Sequence, residues 1–168
     1  PDGTVMPASR VISVAEAHGR VGVIDRWVLN TVLEWIDASF AQLDRTNFIT
    51  VNFSGASIND EQFMADAYAM LRAHPRAASR LCAEITEGVA LTDINQTRRV
   101  LERLREFDVK LALDDFGAGY SNMSRIGQMR PKFIKLDLHL IRKGFSDLVY
   151  KEILNSLAFL SEKIVQDV

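Results

Sequence analysis

Four short stretches of the sequence alternate apolar with polar side chains, and each stretch has a polar or charged residue at or next to its end. They occupy residues 48–53, 81–86, 110–114 and 133–137, and longer amphipathic stretches separate them. An alternation with a period of two is typical of β-strands, and strands that alternate with helices favour parallel pairing through right-handed crossovers. The sequence therefore predicts an α/β fold with four parallel strands.

The two faces of these predicted strands differ in character, and this difference limits the kind of sheet they can form. One face is apolar and consists of Ile49, Val51, Phe53, Ala83, Ile85, Leu111, Leu113, Ile134 and Leu136. The other face becomes polar toward the carboxyl ends and consists of Thr50, Asn52, Cys82, Glu84, Ala112, Asp114, Lys135 and Asp137. A barrel has helices on its outside only, whereas an open doubly wound sheet is apolar on both faces. The pattern favours a (β/α)8 TIM-like barrel, about four βα units of which lie in the chain, over a flavodoxin-like open sheet, which also binds ligands at strand carboxyl ends.

Apolar residues at spacings of three and four predict the helices between these strands. Predicted helices cover residues 7–18, a long stretch from Ile24 to Leu43, residues 60–74, a segment capped by Thr92, a short segment ending near Pro131, and a last segment from about Ser146. Thr92 is chosen as a cap because a threonine hydroxyl can accept a hydrogen bond from a free backbone N–H of the first turn. We expect the apolar sides of these helices to cover the apolar face of the sheet.

The polar residues at the strand ends form one candidate site. Parallel strands should bring to one edge Asn52, Glu84, Asp114, Asp115, Lys135 and Asp137. Carboxylate and amide oxygens favour Mg²⁺, Mn²⁺ or Ca²⁺ over metals that prefer sulfur or imidazole, and the adjacent Asp114 and Asp115 could serve two metals. Lys135 could hold an attacking water or stabilise charge on phosphate oxygens, and its alternative role is a counter-ion of Asp137. Taken by themselves, Asp114 and Asp115 could instead form a turn exposed to solvent.

Composition and charge limit the classes of function. The chain has 168 residues, of which 48% are hydrophobic and 25% charged, and this suits a single domain with a real core. A formal net charge of −2 provides no basic surface for a nucleic-acid polymer. Cys82 is the single cysteine and suits a reducing compartment. No apolar run is long enough to span a bilayer, so we expect a cytoplasmic domain, with anchoring of its parent protein in the inner membrane as an open alternative.

Several segments together resemble the EAL domain family of bacterial phosphodiesterases, which linearise cyclic di-GMP. The matching segments, which span nearly the whole chain, are Ala15-Glu16, Ile24-Asp25-Arg26-Trp27-Val28, Val51-Asn52-Phe53-Ser54, Glu84-Ile85-Thr86-Glu87, the loop from Asp114 to Asn122, and Lys135-Leu136-Asp137. The resemblance implies a modified TIM barrel, which agrees with the analysis of the strand faces. It also implies one incomplete EAL-type domain over residues 1–168, since the family's Glu-x-Leu strand and its Ala-Glu-Gly-x-Glu strand are not among these residues.

The resemblance also implies a role for each candidate residue. Asn52, Glu84 and Asp114 match metal ligands, and Asp115 matches a ligand of the second metal and is a predicted catalytic residue. Lys135 matches a catalytic lysine that contacts metal-bound water. Glu87, also counted with the catalytic set, matches a glutamate that holds the loop after Asp115, while Gly117 and Asp137 are predicted substrate-binding residues. The implied cofactor is Mg²⁺ or Mn²⁺, with Ca²⁺ as an inhibitor.

Two functions follow from the resemblance. The first is metal-dependent hydrolysis of cyclic di-GMP to linear pGpG, for which the chain by itself is expected to be incomplete. The alternative is a catalytically inactive receptor for cyclic di-GMP, or a regulatory or dimerisation module. The implied partners are cyclic di-GMP, a second copy of the protein bound through the loop and helix at residues 115–128, and fused sensory or GGDEF-type domains in the parent protein.

Overall fold

A computed structural model describes residues 5–117 and 127–164 of the chain. Its helices are α1 (Ala8–Ala17), α2 (Val21–Ser39), α3 (Gly55–Ile58), α4 (Glu61–Ala73), α5 (Pro75–Ala78), α6 (Glu87–Thr92), α7 (Ile94–Arg105), α8 (Leu138–Gly144) and α9 (Leu148–Ile164), with a 3-10 turn at Phe40–Leu43 after α2. Its strands are β1 (Ile49–Asn52), β2 (Leu81–Thr86), β3 (Lys110–Phe116) and β4 (Phe133–Leu136). In these described ranges no helix is long and apolar enough to cross a membrane.

The strands form one parallel sheet in sequence order, β1-β2-β3-β4. Asn52 lies opposite Glu84 in the pairing of β1 with β2, and Thr86 lies opposite Asp114 in the pairing of β2 with β3. The predicted α/β fold with parallel strands is therefore confirmed.

A bulge interrupts the pairing of β3 with β4 at the aspartate pair. Leu113 is opposite Ile134 and Phe116 is opposite Leu136, so β3 advances three residues while β4 advances two. Asp115 has φ +54°, a left-handed conformation that aspartate adopts more readily than most residues other than glycine. The bulge re-aims the end of β3, where the candidate site begins.

Helices cover the apolar face of the sheet, as predicted. Val51, Leu111 and Leu113 are at most 4% exposed and belong to the same hydrophobic core as Leu33 of α2 and Leu101 of α7. The burial of these branched side chains between sheet and helices provides the main stabilisation of the fold.

The sheet curves, and the face opposite these helices is its concave side. The rings of Phe48, just before β1, and Phe133, at the start of β4, have centroids only 4.2 Å apart. In a flat sheet, β1 and β4 would be separated by three strand spacings, about 14 Å. Because the outer strands of the sheet bring their side chains into contact across one face, the geometry is that of a barrel segment rather than of a flat open sheet.

The predicted cap at Thr92 is wrong. The cap of α7 is Asp93, whose Oδ1 accepts hydrogen bonds from the N–H groups of Asn95 (3.1 Å) and Gln96 (3.0 Å). Thr92 ends α6, and its hydroxyl donates to the Gly88 carbonyl oxygen at 2.8 Å. Both residue types can cap a helix, and the additional helix α6 decides between them because it already uses the threonine hydroxyl.

Short helices follow three of the strands and were not predicted. They are α3 after β1, α6 after β2 and α8 after β4. Another unpredicted helix, α5, begins at Pro75, because proline is well suited to the first position of a helix. The predicted helix ending near Pro131 is described only at residues 127–129, which are helical; residues 118–126 lie outside the described part of the chain.

Candidate functional site

Three neighbouring strands contribute a glutamate, an aspartate and a lysine to one cluster. The Lys135 ammonium on β4 donates hydrogen bonds to Glu84 Oε1 on β2 and to Asp114 Oδ2 on β3, the latter at 3.1 Å. The side chain of Glu84 is only 3% exposed, whereas that of Lys135 is 52% exposed. The cluster thus runs from the sheet interior to the solvent at the carboxyl ends of the strands.

The charges of this cluster stabilise one another. The hydrogen bond with Glu84 raises the pKa of Lys135 above its usual value against the opposing effect of burial, and Asp114 adds to the rise. Burial acts to raise the pKa of Asp114, but the contact with Glu84 and the hydrogen bonds donated by the Asp115 N–H and the Lys135 ammonium outweigh it and lower that pKa. Lys135 is therefore held as an ammonium, and the carboxylate pair is arranged around a cation.

Asn52 lies at the same edge, one strand away. It ends β1 directly opposite Glu84 in the register, and it is exposed. Within the described ranges, no group of three or more histidine, cysteine, aspartate or glutamate side chains is arranged to hold a metal ion. The donor set that the strands do supply is two carboxylates and an amide, which fits an oxygen-ligated Mg²⁺ or Mn²⁺ better than a softer metal.

Asp115 follows Asp114 in the bulge and is exposed. Its backbone N–H donates a hydrogen bond to the Asp114 carboxylate at 2.9 Å, so the two aspartates are in direct contact. Its role as a ligand of a second metal stays a prediction.

Glu87 connects α6 to the loop that follows β3. It is 6% exposed, and its Oε2 accepts a hydrogen bond from the Gly117 N–H at 2.9 Å. Gly117 has φ +91°, a conformation that glycine adopts without the steric cost of a Cβ. The contact joins α6 to the residue that follows β3. The predicted roles of Glu87 in the catalytic set and of Gly117 in substrate binding stay predictions.

Asp137 lies next to the cluster but has a structural contact of its own. Its Oδ1 accepts a hydrogen bond from the Leu140 N–H at 2.9 Å and caps α8, while its backbone N–H continues the sheet by donating to the Phe116 carbonyl. Lys135 forms its ion pairs with Glu84 and Asp114. The substrate-binding role of Asp137 stays a prediction.

Sequence reasoning missed a second network beside Asn52. Asp25 Oδ2, on α2, accepts hydrogen bonds from the Ser54 N–H (3.0 Å) and the Ser57 hydroxyl (2.7 Å). These partners are 29 and 32 residues away along the chain, and no local pattern reveals such a contact. The sequence does contain one clue to this region: Ser54, two residues after the end of β1, is of a type that typically caps the start of a helix.

The curved parallel sheet and its edge of carboxylates, amide and lysine define a class of protein: an α/β-barrel domain with an oxygen-rich site at the strand ends. Residues 1–164 match the EAL domain family, and the chain therefore belongs to the EAL domain family. The predicted resemblance is confirmed.

Relatives and solved structures extend the likeness over nearly the whole chain. "Cyclic di-GMP phosphodiesterase PdeF" of Escherichia coli (strain K12) is 29% identical over 95% of this chain, which covers 21% of that protein. "Uncharacterized protein Rv1354c" of Mycobacterium tuberculosis (strain ATCC 25618 / H37Rv) is 34% identical over 94% of this chain, which covers 25% of it. The solved structure "PaMucR Phosphodiesterase, c-di-GMP complex" matches with a TM-score of 0.87 and 23% identity over 98% of this chain and 66% of its own. The chain thus spans about a quarter or less of the length of these two curated relatives.

Proposed function

We propose that the chain supplies part of the metal site of a phosphodiesterase that hydrolyses cyclic di-GMP to linear pGpG. The observation that carries the proposal is the Lys135 ammonium held between Glu84 and Asp114 at the carboxyl edge of the sheet. Two further findings support it. The chain belongs to the EAL domain family, and one relative of similar sequence is named a cyclic di-GMP phosphodiesterase.

In this proposal, oxygen atoms of Asn52, Glu84 and Asp114 hold Mg²⁺ or Mn²⁺, and Asp115 holds a second ion. A metal held there would supply Lewis-acid polarisation of the phosphate and a lowered pKa for a nearby water. Ca²⁺ has the same preference for oxygen ligands but a larger coordination sphere, and it acts as an inhibitor.

The other residues orient the reacting groups. Lys135 stays protonated because two carboxylates surround it, and its ammonium orients the attacking water or stabilises negative charge on the phosphate oxygens. Glu87 fixes the loop through the Gly117 N–H, so that Gly117 presents its backbone to the substrate. Asp137 contributes to substrate binding from the start of α8.

The proposal is tested with the full-length protein that contains this chain. The protein is incubated with cyclic di-GMP and Mn²⁺, and linear pGpG is quantified by chromatography. Asp114→Asn keeps the shape of the side chain but removes the charge, and we expect a loss of turnover of at least about 100-fold with folding retained. Asp108→Asn is the matched control, because Asp108 is exposed and precedes the opposite end of the same strand. Equal turnover in both variants would contradict the proposal.

A receptor without hydrolytic activity is the second candidate. One observation favours it: the described residues gather no three acidic or histidine side chains around a metal position, and Lys135 already compensates the charge of Glu84 and Asp114. The same assay distinguishes the two candidates. Binding of cyclic di-GMP without any pGpG at saturating Mn²⁺ would favour the receptor.

The remaining proposals concern the protein as a whole. We infer a homodimer formed through the loop and helix at residues 115–128, most of which lies outside the described residues, and a cytoplasmic location for the domain. Fused sensory or GGDEF-type domains are also proposed, and the small share of each curated relative that the chain covers supports this.

A further inference from the structure

We propose that Asp25 is a positioning residue that fixes the end of β1 and thereby the Asn52 side chain at the metal site. This inference rests on the proposed function, because it takes Asn52 as a metal ligand. It adds Asp25 of α2, which accepts a hydrogen bond from the Ser54 N–H after β1, to the residues that determine metal affinity.

The two serine hydroxyls near Asp25 both donate toward its carboxylate. The Ser54 hydroxyl donates to the Ser57 hydroxyl at 3.0 Å, and the Ser57 hydroxyl donates to Asp25 Oδ2 at 2.7 Å. The Ser54 N–H donates to the same carboxylate oxygen at 3.0 Å. The Ser57 N–H closes the turn by donating to the Ser54 hydroxyl at 3.1 Å. Each hydroxyl has one proton, so the order of donors is fixed, and the carboxylate is the acceptor at its end.

This network begins two residues after Asn52. The Phe53 N–H donates to the Glu84 carbonyl oxygen at 2.8 Å and is the last sheet contact of this part of the chain. The following N–H, that of Ser54, leaves the sheet and donates to Asp25. Asn52 thus lies between its register pairing with Glu84 on one side and the Asp25 contact on the other. The direction in which its side chain leaves β1 depends on both.

Helix α2 is a rigid support for this contact. Leu29 and Leu33 are fully buried in the core, and Arg26 forms an ion pair of 2.6 Å with Asp66 of α4. Ser57 is 1% exposed, so water competes little for its hydroxyl. A charged acceptor makes hydrogen bonds roughly twice as strong as a neutral one, and substitution by asparagine would weaken the contact while preserving its shape.

The test measures Mn²⁺ affinity of the full-length protein by titration calorimetry, together with kcat, KM for cyclic di-GMP and the unfolding midpoint. We expect Asp25→Asn to remain folded and to bind Mn²⁺ about 10-fold more weakly, which is the lower end for partners that orient metal ligands. We expect kcat to recover at saturating Mn²⁺. Ser57→Ala removes one donor to the same oxygen and should weaken Mn²⁺ binding by a smaller factor.

Asp60→Asn is the matched control. The Asp60 side chain accepts a hydrogen bond from the Phe63 N–H at 2.9 Å and caps α4. Its backbone N–H donates to the Ser57 carbonyl oxygen at 3.2 Å, and the substitution leaves that backbone contact in place. This variant should lower the unfolding midpoint and leave Mn²⁺ affinity unchanged. If Asp25→Asn lowers the unfolding midpoint but leaves Mn²⁺ affinity unchanged, as expected for Asp60→Asn, the proposal is overturned and Asp25 only stabilises the fold. If the wild-type protein binds Mn²⁺ without hydrolysis, the affinity comparison still decides the role of Asp25; if it does not bind Mn²⁺, both proposals fail.

Discussion

Glu84 and Glu87 are three residues apart but act on different parts of the site. Glu84 lies on β2 and accepts a hydrogen bond from Lys135, while Glu87 is the first residue of α6 and accepts one from the Gly117 N–H. Both carboxylates are nearly inaccessible to solvent, and buried carboxylates are costly unless they are paired. The two contacts offset that cost: one joins β2 to β4, and the other joins α6 to the residue that follows β3.

Gly117 is the position where this arrangement is most sensitive to one methyl group. An added Cβ would lie 2.7 Å from Leu140 Cδ2, and the backbone φ of +91° disfavours any side chain. We expect Gly117→Ala to lower the free energy of unfolding by about 1–3 kcal/mol, measured by urea denaturation. Gly88→Ala is the control, because the space around Gly88 is open and alanine favours its helix, so this change should be neutral or slightly stabilising. Equal stabilities of the two variants would contradict this account.

At the scale of elements, the sequence predicts the strands better than the helices that follow them. The four strands were found because the alternation of apolar and polar residues is local and their apolar face is continuous. Helices α3, α6 and α8 are too short to show a clear period, so nothing in the local pattern marked them. The contact of Asp25 with Ser54 joins two elements that are distant in the sequence, and only the fold reveals it.

The cap of α7 provides a prediction at this scale. Asp93 accepts two backbone hydrogen bonds at the start of α7, whereas the Thr92 hydroxyl donates one bond within α6. We therefore expect Asp93→Ala to destabilise the protein by about 1 kcal/mol and Thr92→Ala to cost less, as measured by chemical denaturation. A larger loss for Thr92→Ala would restore the cap that the sequence predicted.

At the scale of the whole molecule, the curvature of the sheet distinguishes a barrel from an open sheet. The polar character of one face at the strand ends predicted this, because an open sheet would need apolar residues on both faces. The contact between Phe48 and Phe133 across that face agrees with it. Sequence alone could not predict the bulge at Asp114 and Asp115, since a bulge depends on how two strands pair rather than on either strand's composition.

The curvature itself can be tested by a double-mutant cycle. Phe48 directly precedes β1 and Phe133 begins β4, and these strands are not neighbours in the sheet, so the two rings interact only if the sheet curves. We expect Phe48→Ala and Phe133→Ala to be non-additive, with a coupling free energy of about 0.5–1.5 kcal/mol in urea denaturation. Additive effects would indicate that the rings do not meet in solution.

The most direct test of the metal site is anomalous X-ray diffraction from crystals of the full-length protein grown with Mn²⁺. The account predicts a manganese peak within coordination distance of the Asn52, Glu84 and Asp114 side-chain oxygens, with the Lys135 ammonium moved away from its position between the two carboxylates. A fully ordered site without such a peak at saturating Mn²⁺, in which Lys135 still bridges Glu84 and Asp114, would contradict it.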